Sequence, residues 1–269
     1  MIAAIDPLAL AWKMTITAAI VIAAAVAAER AGPRFGGLIA SLPVSAGPAY
    51  VFLALKSDDA FIAAAALGGL YANAATSLFL LHVALFARRL PAAALFGLGL
   101  IFWSCVIAAL RQLPVALPVA LALNVACYAL AIAATRHLRH APPAGRAAKG
   151  WADLALRALL VAVLVGGVVS ASDMLGPGLT GIAALFPVTF TSVGLLIHTR
   201  LGGAANAAAM ASGLVAMIGF TAGLLTIHLA AMPLGRFAGL ALALCVSLGW
   251  AGLLLTLGRR RAAAPPARP

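Results

Sequence analysis

The side chains able to do chemistry are few in this chain, and their depth along it matters more than their number. The six acids, Asp6, Glu29, Asp58, Asp59, Asp153 and Asp173, all fall near the ends of apolar stretches or between them. A proton- or sodium-coupling carboxylate of the usual intramembrane kind is therefore not expected. The acid pair or metal ligand set that most embedded hydrolases need is not expected either, so the chain reads as a non-enzyme without cofactor or metal. Asp153 and Arg157 stand four residues apart and read as a helix-end pair. Cys105, Cys127 and Cys245 lie inside apolar stretches without CxxC spacing and read as small apolar residues.

Hydroxyls and amides remain. Ser41, Ser45, Tyr50, Asn73, Thr76, Ser77, Thr189, Thr191 and Ser192 fall deep within apolar stretches, around Pro43 and Pro187 or in the Ala-rich segment between residues 60 and 87. Hydroxyls beside interrupted helices can bind a small anion or zwitterion, using freed N–H donors and the positive end of a half-helix. The same groups can equally satisfy their own backbone or a neighbouring helix. His82, His198 and His228 sit near helix ends, and His198 is the candidate for a coupling role because imidazole titrates near neutral pH. The expected binding set is Ser41, Pro43, Ser45, Tyr50, Asn73, Thr76, Pro187, Thr189, Thr191 and Ser192.

The elements that must hold these groups are membrane helices. With 65% hydrophobic residues, 9% charged residues and a mean hydropathy of +1.12 over 269 residues, the chain has too little polar surface for a water-soluble globule. Nine stretches are long enough to cross the hydrocarbon core: 14–29, 35–55, 60–87, 91–110, 114–134, 152–172, 177–197, 203–229 and 236–258. The start, "MIAAIDPLALAWK", has an acid and no basic run, so no cleavable signal peptide is expected.

The net charge of +12 is explained by topology. Nine crossings put Arg30, Arg34, Arg88, Arg89, Arg136, Arg139, Arg146, Lys149, Arg157, Arg200, Arg259, Arg260, Arg261 and Arg268 on one side and leave Lys13, Lys56, Arg111 and Arg236 on the other. This bias makes the richer side cytoplasmic, with the N-terminus periplasmic and the C-terminus cytoplasmic. Nucleic acid is not an expected partner, since no aromatic-and-basic stretch accompanies the charge. The expected partners are a small-molecule solute and the lipid bilayer, and a homodimer is compatible with the sequence.

"GPRFGGLIASLPV" (32–44) and "GPGLTGIAALFPV" (176–188) share six of thirteen residues without a gap at a separation of 144. Five crossings precede the second copy, and an odd number reverses direction, so the repeats are expected to be inverted. Helices 1–4 would match helices 6–9, with helix 5 as connector. The chain then divides into a first repeat plus connector (1–135), a cytoplasmic loop (136–151), a second repeat (152–258) and a disordered basic tail (259–269). Pro43 and Pro187 each fall near mid-membrane, where proline removes a donor and frees a carbonyl four residues back, at Ile39 and Ala183. Backbone interrupted at that depth is tolerated when it is buried in protein or lines a cavity. The Ala/Gly-rich helices 3 and 8 are expected to pack closely at the centre.

"GIAALFPVTFTSVGLLIHTRLG" (181–202) resembles the core of GlpM-like small bacterial inner-membrane proteins, in a G-x-x-x-L-F-P run followed by a His and a Gly. Those proteins are about one repeat long, so the resemblance implies a fused duplication. "GLIASLPVSAGPAYVFLALKSDDAF" (37–61) resembles two-repeat bacterial membrane proteins of unassigned function. In the first half Ser41-Leu42 stands for Leu-Phe, and no His follows at the matching position. The resemblance spans about a fifth of the chain and implies no particular substrate. Together these features lead to an all-α polytopic membrane protein with interrupted helices 2 and 7. The expected function is secondary transport of a small organic anion or zwitterion across the bacterial inner membrane. The alternative is a lipid-handling or accessory component of an envelope-biogenesis complex.

Overall fold

The computed structural model describes residues 8, 11–12, 14–19, 22–23, 46–139 and 151–263. Ser41, Pro43, Ser45 and the first copy of the repeated motif lie outside the described residues. Within them the chain is helical and contains no strand. The helices are α1 (Ala46–Lys56), α2 (Asp59–Phe86), α3 (Ala92–Leu110), α4 (Leu117–Thr135), α5 (Trp151–Ala184), α6 (Val188–Leu234) and α7 (Arg236–Ala263), with a 3-10 turn, Arg136–Leu138, closing α4.

Local chemistry fixes several of these ends. Asp58 caps α2 by accepting from the Phe61 N–H at 2.8 Å. Pro91 precedes α3, and Pro118 lies in the first turn of α4, where a missing N–H costs nothing. Gly176, Gly202 and Gly235 have φ of 69°, 84° and 83°, a region open to glycine and strained for other residues. Each reverses or redirects the chain with a single residue, so the helical segments on either side follow one another without loops. Residues 154–234, a predominantly apolar stretch, would reach about 120 Å as one straight helix. The turns at Gly176 and Gly202 fold them into segments of membrane length.

α2 is the axis of the bundle. In its apolar window 72% is buried, against 28% for α3, 22% for α4 with its 3-10 turn, and 17% for α7, which places these three on the outside of the bundle. The main neighbours of α2 are α6, α5 and α4, and α7 packs on α6. Helices 3 and 8 of the sequence reading, here α2 and the part of α6 after Gly202, lie side by side at the centre. Close approach depends on glycine: a Cβ on Gly181 would overlap the Ala65 carbonyl, one on Gly68 the Gly178 carbonyl, and one on Gly203 the Ala87 carbonyl. Backbone therefore rests on backbone along α2.

At one end of the bundle Lys56 Nζ reaches Asp173 at 2.8 Å, Ser172 Oγ at 3.0 Å and the Val169 carbonyl at 3.2 Å. At the same end Asp59 accepts from the Arg236 backbone N–H and from its Nη1, both at 3.0 Å. Gly203 and the Ala87–Arg88 turn meet at the other end of α2. Lys56, Asp59, Asp173 and Arg236 are thus grouped together, apart from the turn that carries Arg88. The architecture is consistent with a multi-pass membrane protein.

Two expectations are modified. α7 continues to Ala263, five residues beyond the expected end of the last span at 258. The Ala183 carbonyl, expected to be freed by Pro187, accepts from the Phe186 N–H at 3.1 Å, because the helix tightens to i→i+3 bonding as it ends.

Candidate functional site

The second copy of the motif is interrupted as its proline requires. α5 ends at Ala184, residues 185–187 leave helical geometry with Pro187 at ψ 44°, and α6 starts at Val188. The break is closed on itself by short-range bonds: Leu185 N to Ile182 O at 3.2 Å, Val188 N to Phe186 O at 2.7 Å, and Thr191 N to Pro187 O at 2.9 Å. Phe186 meets the edge of Trp103 of α3, ring centroids 5.3 Å apart at 81°. Trp103 Nε1 donates to Thr76 Oγ1 of α2 at 3.1 Å. An aromatic pair thus joins the break to the polar face of the central helix.

Most of the deep hydroxyls in the described residues are occupied. Tyr50 OH donates to Ala65 O at 3.0 Å, Thr76 Oγ1 to Ala72 O at 2.9 Å, Ser77 Oγ to Ala74 O at 2.7 Å, Thr191 Oγ1 to Pro187 O at 2.7 Å and Ser192 Oγ to Thr189 O at 3.1 Å. Four of these bonds run three or four residues back along the same helix, the ordinary arrangement for membrane hydroxyls. Thr189 differs: its Oγ1 is buried and has no hydrogen-bond partner, one turn from the break.

Asn73 is the hub of a polar network that joins three helices. Its Nδ2 donates to Asn124 Oδ1 of α4 at 2.9 Å and to Thr221 Oγ1 of α6 at 2.7 Å, while Tyr128 OH of α4 donates to its Oδ1 at 3.2 Å. Asn124 Nδ2 is in turn used on Leu70 O at 2.9 Å and Ala120 O at 2.8 Å. Both amide hydrogens of Asn73 are spent, so its present role is to clamp α4 and α6 to α2. Within the expected set, Thr189 carries the described side-chain hydroxyl that has no partner, beside the Leu185–Pro187 break.

His198 Nδ1 lies 3.4 Å from Nδ2 of Asn206, a fully buried residue whose Oδ1 has no partner. His228 Nδ1 is 2.8 Å from the Ala63 carbonyl, to which an N–H at that position donates, and His82 Nε2 is 3.3 Å from Leu95 O. The sequence reading missed Asn124, Tyr128, Asn206 and Thr221. Asn124 and Tyr128 are four residues apart and share a helix face in an otherwise apolar run, which was the available signal; Asn206 and Thr221 had none beyond their depth.

A cavity of about 260 Å³ lies toward the end of α2 that carries Asp59. Gly68, Tyr71, Ile107, Gly178 and Ile182 form its wall, and exposed Arg111 stands at its edge. No family model, curated protein or solved structure matches the chain.

Proposed function

We propose that the protein is a secondary transporter of a small organic anion or zwitterion in the bacterial inner membrane, with its site at the interruption of the second repeat. The observation that carries this reading is Thr189: a hydroxyl buried without a partner, beside a proline break, in a bundle whose other deep hydroxyls are nearly all bonded. A buried polar group left open is costly unless something completes it. A solute hydroxyl, amine or carboxylate at the break would do so.

The inverted-repeat reading, with nine crossings and a cytoplasmic C-terminus, supports the same function. At the 144-residue offset, Asp59 corresponds to Gly203 and Ala87 to Ala231. Asp59 meets the Arg236 end of α6, and Gly203 meets the Ala87 end of α2, so the start of each central helix lies at the end of the other. Two antiparallel copies related by an axis in the membrane plane would make these contacts.

The test is a thermal-unfolding screen of the purified protein against carboxylates, amino acids, nucleosides and phospholipids, run beside Thr189→Val. One solute class should raise the midpoint of the wild type and leave the variant unmoved, because a ligand of the folded state stabilises it by mass action. Stabilisation by phospholipid alone, equal in both proteins, would refute the transporter reading.

A second reading rests on the cavity. Its apolar wall and single arginine suit an anionic amphiphile, the ligand of a lipid-handling component. Arg111→Gln would then weaken phospholipid stabilisation while Thr189→Val left it intact.

A further inference from the structure

Arg139 follows the 3-10 turn Arg136–Leu138 at the end of α4. Tight geometry there turns the chain inward: Thr135 Oγ1 bonds Ala131 O at 2.7 Å, Leu138 packs against the apolar core, and the turn lies against α6. An arginine at a helix end ordinarily extends its head into water. Here Nε and Nη2 are both buried, and neither has a hydrogen-bond partner.

Those two nitrogens form one edge of the planar guanidinium, and their hydrogens point the same way. This is the edge that binds two oxygens of a single carboxylate or phosphate in parallel. On a part-buried arginine, two inaccessible guanidinium donors left open are costly, and an oxyanion relieves them. Arg136 and His137 beside it are exposed, and the positive field of Arg136 favours the approach of an anion.

We propose that the side-on edge of Arg139 anchors a bidentate oxyanion, a carboxylate or phosphate group, at the end of α4. This site is separate from the Thr189 break and does not depend on the transporter reading. The same chemistry is offered by a free solute and by a phospholipid headgroup.

The purified full-length protein in neutral detergent is titrated with potassium phosphate and with potassium acetate against potassium chloride at matched ionic strength, reading the unfolding midpoint. A parallel arm uses phosphatidylcholine nanodiscs with and without phosphatidylglycerol. A saturable rise with either salt identifies a free oxyanion; a rise with phosphatidylglycerol alone identifies a lipid headgroup, and both support the site. Arg139→Lys keeps the charge without the planar edge and should bind at least tenfold more weakly, with Arg136→Lys unchanged.

Phenylglyoxal labelling of the wild type, read by mass spectrometry, keeps the proposal testable if Arg139→Lys folds poorly. The stabilising anion should slow modification of Arg139 and not of Arg136. Flat titrations in every arm, or an equal response in Arg139→Lys, would overturn the site. So would Glu29→Gln or Asp153→Asn accelerating Arg139 labelling with no anion added, since the edge would then belong to the chain's own carboxylate.

Discussion

Asn73 and Thr189 are both polar groups in apolar helices, and the structure gives them opposite standings. Asn73 engages Asn124, Thr221 and Tyr128, so Asn73→Leu strands several partners at once. Its expected cost is about 1–3 kcal/mol in the unfolding free energy measured in mild detergent. Asn73→Leu combined with Asn124→Leu should cost less than the sum of the two, because each removes the same bond. Thr189→Val removes a hydroxyl that bonds nothing, and its unliganded stability should stay within about 0.5 kcal/mol of wild type. Ser45, its counterpart at the 144-residue offset, was as legible in the sequence as Thr189 and lies outside the described residues. The sequence favoured Thr189, as the counterpart of Ser45 beside a proline, over Asn73, which only its depth marked. Their difference lies in which neighbours come within about 3 Å, and that is not written in local spacing.

At the scale of the element, the segment Gly178–Ala184 rides on the backbone of α2. Gly181→Ala should push the two apart and destabilise the protein by about 1–3 kcal/mol, as overpacking does. Gly167→Ala is the control: a Cβ there meets nothing within 4 Å, and alanine is the better helix former. Its midpoint should stay level or rise. For the break itself, Pro187→Ala allows α5 and α6 to fuse into a continuous helix through residues 185–187. Under the transporter reading it should reduce solute-dependent stabilisation more than it reduces the amount of folded protein; equal losses would make Pro187 a packing residue only. The proline break was legible because proline lacks a donor wherever it stands. The single-residue junctions at Gly176, Gly202 and Gly235 were not. Twenty-six glycines are spread through the chain, and only the conformation shows that, among the described residues, Gly176, Gly202 and Gly235 take positive φ.

For the molecule as a whole, the pairs Lys56–Asp173 and Asp59–Arg236 tie α1 to α5 and α2 to the α6–α7 junction at one end. The 3-10 turn after α4 lies an entire helix away from Gln112, which precedes α4. In a background with Cys105, Cys127 and Cys245 replaced by Ala, Gln112→Cys and His137→Cys are both at exposed positions and should react with an impermeant thiol reagent from opposite faces of the membrane. The basic bias predicts that His137→Cys reacts from the cytoplasm. Reaction of both from one face would contradict the crossing of α4 and the orientation drawn from charge.

The apolar solvent of this protein, the extents of α2, α3 and α4 and the interruption at Pro187 were all legible in the sequence. Each of these follows from properties carried by single residues or summed along a short run: hydropathy, charge and a missing N–H. The expected spans 60–87, 91–110 and 114–134 meet α2, α3 and α4 within a few residues at each end for that reason. Tertiary structure decided which polar groups are used and which are left open. Asn73 is spent on partners 51, 55 and 148 residues away, Thr189 on none, and Arg139 holds two buried donors without a partner. Hydrogen bonds and backbone contacts act over a few ångströms between residues distant in the chain, so only the folded bundle assigns them.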